Sequence, residues 1–291
     1  MIRIMTDAAA DIPAALAKEL EIEVLPFMIH LGDKSICADI DLEPETYYQL
    51  LRESDAFPST SQMSPADLED RFRSLGADGD SILYISISSK GSGIHNTACM
   101  VAEQLKSEGF DITVLDSTMF SYVIGKTAVE AAQMAKAGKS KEEIIAYATE
   151  VYHRDTAYFV VDDLSYLKKG GRIKATTMAI GTMLDIKPIL NINDGLVEAY
   201  RKVRGLKKAM SVLVDYAEER MDDPQNNEVI ILHSDAPDKV EILKQMVENR
   251  INPASITVEK VGPIITSHAG LGVVGIFFKH KKPYEEYETA E

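Results

Sequence analysis

The residues best suited to chemistry lie in a loop at positions 88–93, which contains three serines and two glycines. The preceding residues, 81–87, are rich in Ile, Leu and Tyr and predict a strand, whereas apolar residues recur at helical spacing between positions 98 and 105. A helix that begins in this way directs unpaired backbone N–H groups and the positive end of its dipole at the loop. This serine–glycine loop (residues 88–93) is therefore predicted to bind an anion.

Other interpretations of the same loop stay open at this point. Ser89 or Ser92 can simply cap the helix, because the sequence is neither a complete dinucleotide fingerprint nor a P-loop. A serine hydrolase acting through Ser92 and His268 is a second possibility, although Gly-Ser-Gly lacks the spacing of a nucleophile elbow. A nucleotide-binding enzyme is a third, and the missing glycine fingerprint counts against it.

Composition excludes several classes of protein. The formal charge of −15 over 291 residues argues against nucleic acid as a partner, because phosphate binding requires a basic face. No apolar run is long enough for stable membrane insertion and no signal peptide is visible, so we expect a cytoplasmic protein. Cys37 and Cys99 suggest neither a disulfide nor a zinc site, and the histidines have no metal-ligand spacing.

The order of predicted elements indicates two domains. In residues 1–155, strands alternate with helices, which predicts a Rossmann-like, mostly parallel α/β sheet with a ligand across the carboxyl ends of its strands. Asp7, the serine–glycine loop and residues 116–117 should converge there. In residues 156–291, a hairpin around Asp194-Gly195 and helix-separated strands predict an α+β domain.

Three further segments carry polar side chains that fit a binding site. Residues 58–62 read as a Pro-stiffened polar loop, residues 168–173 as a basic glycine loop, and residues 262–270 as a turn that holds His268. Each is also compatible with an ordinary solvated or structural segment. The residues alone thus predict an α/β protein with an anion-binding loop, without naming the anion.

Five stretches together resemble the DegV family of bacterial fatty-acid-binding proteins, the fatty-acid-carrying subunits of the fatty acid kinase system. They occur in the family's order and span nearly the whole chain. They are Thr6, Asp7 and Asp11; residues 58–62; Ser88, Ser89, Ser92 and Gly93; residues 166–173; and Gly262, Pro263, His268 and Gly270.

The resemblance implies a carrier and not an enzyme, with no catalytic residue, metal or cofactor, and with a long-chain fatty acid buried between two domains. Its carboxylate would be bound by Thr60, Ser61, Ser92, Gly93 and His268. The implied partner is the catalytic subunit of a fatty acid kinase, which phosphorylates the carboxylate to an acyl phosphate for phospholipid synthesis. The residues implied to face the kinase and the phosphoryl group are Arg172 and Arg201.

The sequence also departs from the family pattern at four places. Ala8 stands where a serine is usual, Gly91 where an apolar residue is common, Ile94-His95 where Thr-Tyr is found, and Leu271 where a proline is frequent. The implied carboxylate ligands are intact. The departures leave open the shape of the pocket, and with it the preferred acyl chain.

Overall fold

The computed structural model describes residues 1–178 and 186–288 and divides them into two compact units. The first contains Met1–Glu150 and Gly262–Ser267, and the second contains the described residues of Val151–Val261 and His268–Glu291. This division differs from the predicted domains, 1–155 and 156–291, in two ways: the boundary falls after Glu150, and Gly262–Ser267 is grouped with the first unit. The predicted second domain also includes residues 179–185 and 289–291, which lie outside the described residues.

The first half of the chain alternates strands and helices. The strands are β1 (Ile2–Asp7), β2 (Glu23–Leu25), β3 (Phe27–Leu31), β4 (Lys34–Ala38), β5 (Ser59–Ser61), β6 (Ser81–Ser86) and β7 (Ile112–Asp116). The helices are α1 (Ala14–Leu20), α2 (Pro44–Arg52), α3 (Pro65–Gly76), α4 (Ile94–Lys106), α5 (Tyr122–Lys136) and α6 (Lys141–Arg154), with a short 3-10 helix at Ala8–Ala10.

A parallel four-stranded sheet in the order β2-β1-β6-β7 forms the centre of the first unit. Strand β6 is buried along almost its whole length, as expected for a parallel strand covered on both faces. Helices α1 and α5 pack together, as do α3 and α4, while α5 also packs on β1 and α4 on β7. A separate antiparallel sheet has the order β4-β3-β5.

The second half of the chain has fewer βαβ units. Its strands are β8 (Ala157–Val160), β9 (Ile186–Asn193), β10 (Leu196–Arg204), β11 (Glu228–His233), β12 (Ser255–Lys260) and β13 (Val274–Phe278). Its helices are α7 (Ser165–Gly170), α8 (Ala175–Met178), α9 (Leu206–Arg220), α10 (Pro237–Arg250), α11 (Pro263–Ala269) and α12 (Glu285–Glu288).

The second unit contains a six-stranded sheet in the order β10-β9-β8-β13-β11-β12. Among the strands described in this sheet, β11 and β12 pair in parallel and the other pairings are antiparallel, and β9 and β10 form the predicted hairpin around Asp194-Gly195. Helices α9 and α10 pack together over this sheet, and their apolar residues form a continuous buried core with it. The predicted fold class, a parallel α/β sheet followed by an α+β region, is confirmed.

Three local predictions were wrong. Residues 262–270 contain helix α11 instead of an open turn. Residues 168–170 form the last turn of α7, so the basic glycine loop begins only at Gly171. Residues 59–61 form strand β5, because their backbone pairs with β3 even though their side chains are short and polar.

Candidate functional site

The loops at the carboxyl ends of the parallel strands meet around the serine–glycine loop, as the alternating pattern predicted. The backbone N–H of Ser89 donates to Oδ1 of Asp116 at 3.1 Å, at the end of β7. The N–H of Ser88 donates to the carbonyl of Met119 at 3.1 Å, in the segment between β7 and α5. Ile87, the residue before the loop, donates its backbone N–H to Oδ2 of Asp7, at the end of β1. The first residues of the serine–glycine loop are thus fixed from two neighbouring strands.

Asp7 is a fully buried carboxylate that holds this edge of the sheet together. Its Oδ2 accepts hydrogen bonds of 2.9 Å from the Tyr84 hydroxyl and from the backbone N–H of Ile87, and its Oδ1 accepts one of 3.1 Å from Ala9. Burial raises the pKa of Asp7 to about 6, and the three hydrogen bonds oppose that rise. Asp7 therefore caps the 3-10 helix and orients the chain that enters the serine–glycine loop.

The raised pKa of Asp7 predicts a pH dependence of stability. The folded state binds the proton of Asp7 more tightly than the unfolded state does, so protonation of Asp7 stabilises the fold. This stabilisation is fully present below about pH 4 and is lost as pH rises through 6. We expect the free energy of unfolding to fall by about 3 kcal/mol across that window, relative to the Asp7→Asn variant. Urea denaturation of both proteins from pH 4 to pH 7 measures the difference.

The matched control is Asp33→Asn, which removes an exposed carboxylate in the turn after β3. This variant should follow the wild-type pH curve. Parallel curves for Asp7→Asn and wild type would contradict the assignment of a buried, proton-binding carboxylate to Asp7.

Ser92 and Gly93 lie immediately before the N-terminus of α4, a helix of 13 residues. Gly93 is the N-cap residue, and its carbonyl accepts the first helical hydrogen bond from the N–H of Thr97 at 3.1 Å. The Ser92 hydroxyl lies 3.4 Å from the N–H of Ile94, a weak contact that leaves it suitable as a donor. The hydroxyl and the first N–H groups of α4 can together hold an anion.

Thr60 and Ser61 are neighbours on β5, where they pair with Ile29 and Met28 of β3. The Ser61 hydroxyl is bonded to Nε2 of His30 at 2.9 Å on the exposed side of the sheet. Because successive side chains of a strand point to opposite faces, Thr60 is directed to the other face. The two hydroxyls therefore do not point at the same ligand atom.

Gln62 connects the Thr60 segment to the serine–glycine loop. Its Nε2 donates to the Thr97 hydroxyl at 2.7 Å, and a Cβ placed on Gly93 would lie 3.0 Å from its Oε1. Within the first unit the structure thus brings Gln62, two residues beyond Thr60, into contact with Gly93 and the first turn of α4. The sequence marks Gln62 only as part of a polar loop, because its contact with Thr97 of α4 leaves no local pattern.

His268 is a partly buried residue of α11 and belongs to the second unit. Its imidazole packs against the end of α7, where a Cβ placed on Gly170 would lie 2.7 Å from Nδ1. Burial, and then the positive charge of Arg172, lower the pKa of His268 to about 4. At neutral pH His268 is therefore a neutral imidazole, which can donate one hydrogen bond to a carboxylate.

Arg172 follows α7, and its guanidinium donates to the carbonyl of Gly170. Burial lowers its pKa, and its backbone carbonyl accepts from the N–H of Val197 on β10 at 3.0 Å. Arg201 is exposed on the same strand, four residues beyond Val197, a distance of about 13 Å along the strand. The structure thus places Arg172 beside His268, and places Arg201 farther along β10.

The part of the chain that the structure describes holds neither a cluster of metal ligands nor a helix that could cross a membrane. Among residues 1–178 and 186–288, no three His, Cys, Asp or Glu side chains are grouped as metal ligands. None of the helices described there has both the length and the apolar character needed to cross a bilayer. Cys37 and Cys99 are free and exposed.

Comparison with known sequences identifies the family. Residues 1–281 match the model of a family described as "Uncharacterised protein, DegV family". A DegV domain-containing protein of Clostridium perfringens is 36% identical over 280 residues, which cover 94% of this chain and 96% of that protein. The chain therefore belongs to the DegV family.

Solved structures of similar proteins have the same fold. A DegV family protein from Thermus thermophilus, described as fatty acid binding, is 30% identical with a TM-score of 0.84, covering 96% of this chain and 99% of that one. A DegV family protein from Streptococcus agalactiae, also described as fatty acid binding, is 29% identical with a TM-score of 0.86 at the same coverages. The similarity extends over both units of this chain.

Proposed function

We propose that this protein is a carrier that binds one long-chain fatty acid by its carboxylate. The observation that carries the proposal is the geometry at the N-terminus of α4. There the Ser92 hydroxyl and the first N–H groups of the helix form an anion-binding arrangement. The fatty acid binding described for the relatives from Thermus thermophilus and Streptococcus agalactiae supports the choice of anion.

Each of the five proposed ligand residues has its own role. The hydroxyls of Thr60 and Ser92 donate to the carboxylate, Gly93 allows close approach of the backbone, and the neutral imidazole of His268 donates one further hydrogen bond. Because its hydroxyl is bonded to His30, Ser61 is proposed to contribute through its backbone. These donors prevent the carboxylate from being left unpaired when it loses water.

The acyl chain supplies most of the binding free energy. Each buried methylene contributes about 0.8 kcal/mol, so a chain of about fourteen contributes roughly 11 kcal/mol before ordering costs. The polar cluster is needed for selection of an acid over other lipids of the same length. A site of this kind rejects an analogue without the carboxylate because its buried donors are then left unpaired.

The lowered pKa of His268 disfavours the serine hydrolase alternative. A general base is most effective when its pKa lies near the working pH, whereas an imidazole with a pKa of about 4 holds an abstracted proton poorly at pH 7. A hydrogen-bond donor to a bound carboxylate has no such requirement. We therefore propose binding without catalysis.

We further propose that the bound carboxylate is presented to the catalytic subunit of a fatty acid kinase in the cytoplasm, for conversion to an acyl phosphate used in phospholipid synthesis. Arg172 is the residue proposed to stabilise the transferred phosphoryl group. Its position beside His268 supports this, because a group bonded to His268 would lie near the guanidinium. Arg201, about 13 Å farther along β10, is proposed to contact the kinase itself.

Lipid extraction tests the proposed function directly. Protein purified from a bacterial host should release a long-chain fatty acid into organic solvent, in a ratio close to one acid per chain by mass spectrometry. Denatured and refolded protein stripped of lipid should take up palmitate when it is added. Release of a nucleotide or of a neutral lipid in place of an acid would contradict the proposal.

A further inference from the structure

Ser92 lies between two glycines that each touch a side chain from a distant part of the chain. A Cβ placed on Gly91 would lie 2.7 Å from Cζ of Phe120, closer than real Cβ contacts. On the other side, Gly93 is in contact with Gln62. The path of the backbone through Ser92 is therefore defined by its neighbours on both sides.

The ring of Phe120 is itself held in place. Phe120 is only 8% exposed and lies in the segment between β7 and α5. On either side of it, Thr118 and Ser121 have positive φ angles of 54° and 62°, which are uncommon for residues other than glycine. The carbonyl of Met119 accepts the hydrogen bond from Ser88, so the segment that carries the ring is bonded to the start of the serine–glycine loop.

Because the interior is closely packed, the contact between Phe120 and Gly91 restricts the backbone at Ser92. Protein interiors are packed as densely as organic crystals, so a buried ring that fills a volume excludes other positions for the backbone beside it. Removal of the ring would vacate the space that a Cβ on Gly91 would enter, and glycine has the widest conformational freedom of any residue. The Ser92 hydroxyl would then sample several directions.

We propose that Phe120 is a positioning residue that gives the site its preference for a carboxylate. Its ring fixes Gly91, so that the Ser92 hydroxyl and the first N–H groups of α4 point at one anion. This inference rests on the proposed function, because it names the residue that orients the donors of that same site. Phe120 itself need not touch the ligand.

The test compares two ligands of equal chain length, palmitate and hexadecanol, on Phe120→Ala. Loss of an oriented, charge-assisted hydrogen bond should weaken palmitate binding about tenfold or more. The affinity for hexadecanol, which has no carboxylate to orient, should stay within about threefold of wild type. A merely structural role of Phe120 would weaken both ligands equally, so equal losses, or unchanged affinity for both, would overturn the proposal.

Two further variants distinguish positioning of Ser92 by Phe120 from general destabilisation of the protein. Gly91→Leu in the Phe120→Ala protein refills the vacated volume and should restore much of the palmitate preference, whereas Gly91→Leu alone should reduce it. Phe110→Ala is the control, because the ring of Phe110 packs in the same way on Gly76, near the amino ends of β6 and β7, whereas the serine–glycine loop follows the carboxyl end of β6. It should leave the ratio of the two affinities unchanged.

The affinities of the wild-type protein show whether a negative result contradicts the proposed function or only the role of Phe120. Equal affinity of wild type for palmitate and hexadecanol would contradict the proposed function. A clear wild-type preference that persists in Phe120→Ala would contradict only the role of Phe120. Failure of Gly91→Leu to restore the preference, with the double variant folded, would also count against positioning by this ring.

Discussion

The Ser92→Ala/His268→Ala protein is expected to be purified without bound fatty acid. Both substitutions remove donors to the proposed carboxylate, and each hydrogen bond to a charged group is worth about 1.5–3 kcal/mol. Their joint loss should weaken binding about a hundredfold or more. Native mass spectrometry measures the acyl content, and an unchanged content in the double variant would contradict the proposed site.

The fold should survive these substitutions. Among the residues that the structure describes, the Ser92 hydroxyl has only the weak contact with the N–H of Ile94, and His268 is partly exposed. The matched control is Ser74→Ala/His153→Ala, which removes a hydroxyl and an imidazole from exposed positions outside the proposed site. It should keep its lipid, and both double variants should melt close to wild type.

Arg172→Ala is expected to retain fatty acid but to lose acyl-phosphate formation. The guanidinium is proposed to act on the transferred phosphoryl group, and removal of such a charge typically costs about a thousandfold or more in rate. Lipid affinity should change little, about threefold or less, because Arg172 affects His268 through its charge and not through a carboxylate bond. The measurement is a coupled assay with a fatty acid kinase and ATP.

Lys244→Ala is the control for this assay, since it removes a partly exposed cation from α10 in the same unit. Its acyl-phosphate formation should equal that of wild type. Undiminished product with Arg172→Ala would remove the phosphoryl-facing role from this residue. Loss of bound lipid in Arg172→Ala would move the residue to the carboxylate site instead.

Most of the fold follows from local sequence patterns. The apolar run before Ser88 and the helical spacing after Gly93 are enough to place β6, the serine–glycine loop and α4. The α11 helix was predicted as a turn because two glycines flank it. The sequence does contain the signals of a helix. Pro263 occupies the first helical position, and Gly270 follows the last residue with a φ of 79°.

Less of the site than of the fold can be predicted from the sequence. Chemistry and family resemblance select Thr60, Ser92 and His268, but the opposite orientations of Thr60 and Ser61 depend on the pairing of β5 with β3. The contact of Phe120 with Gly91 joins residues 29 positions apart and leaves no periodic pattern. Contacts of this kind follow from tertiary packing, which local propensity does not encode.

The central claim, that the site at the entrance of α4 selects a carboxylate, is tested most directly by calorimetric titration of lipid-free wild-type protein. Palmitate and hexadecanol share an acyl chain, so their difference in affinity isolates the contribution of the carboxylate. The account predicts that palmitate binds about tenfold or more tightly. Equal affinities would contradict it.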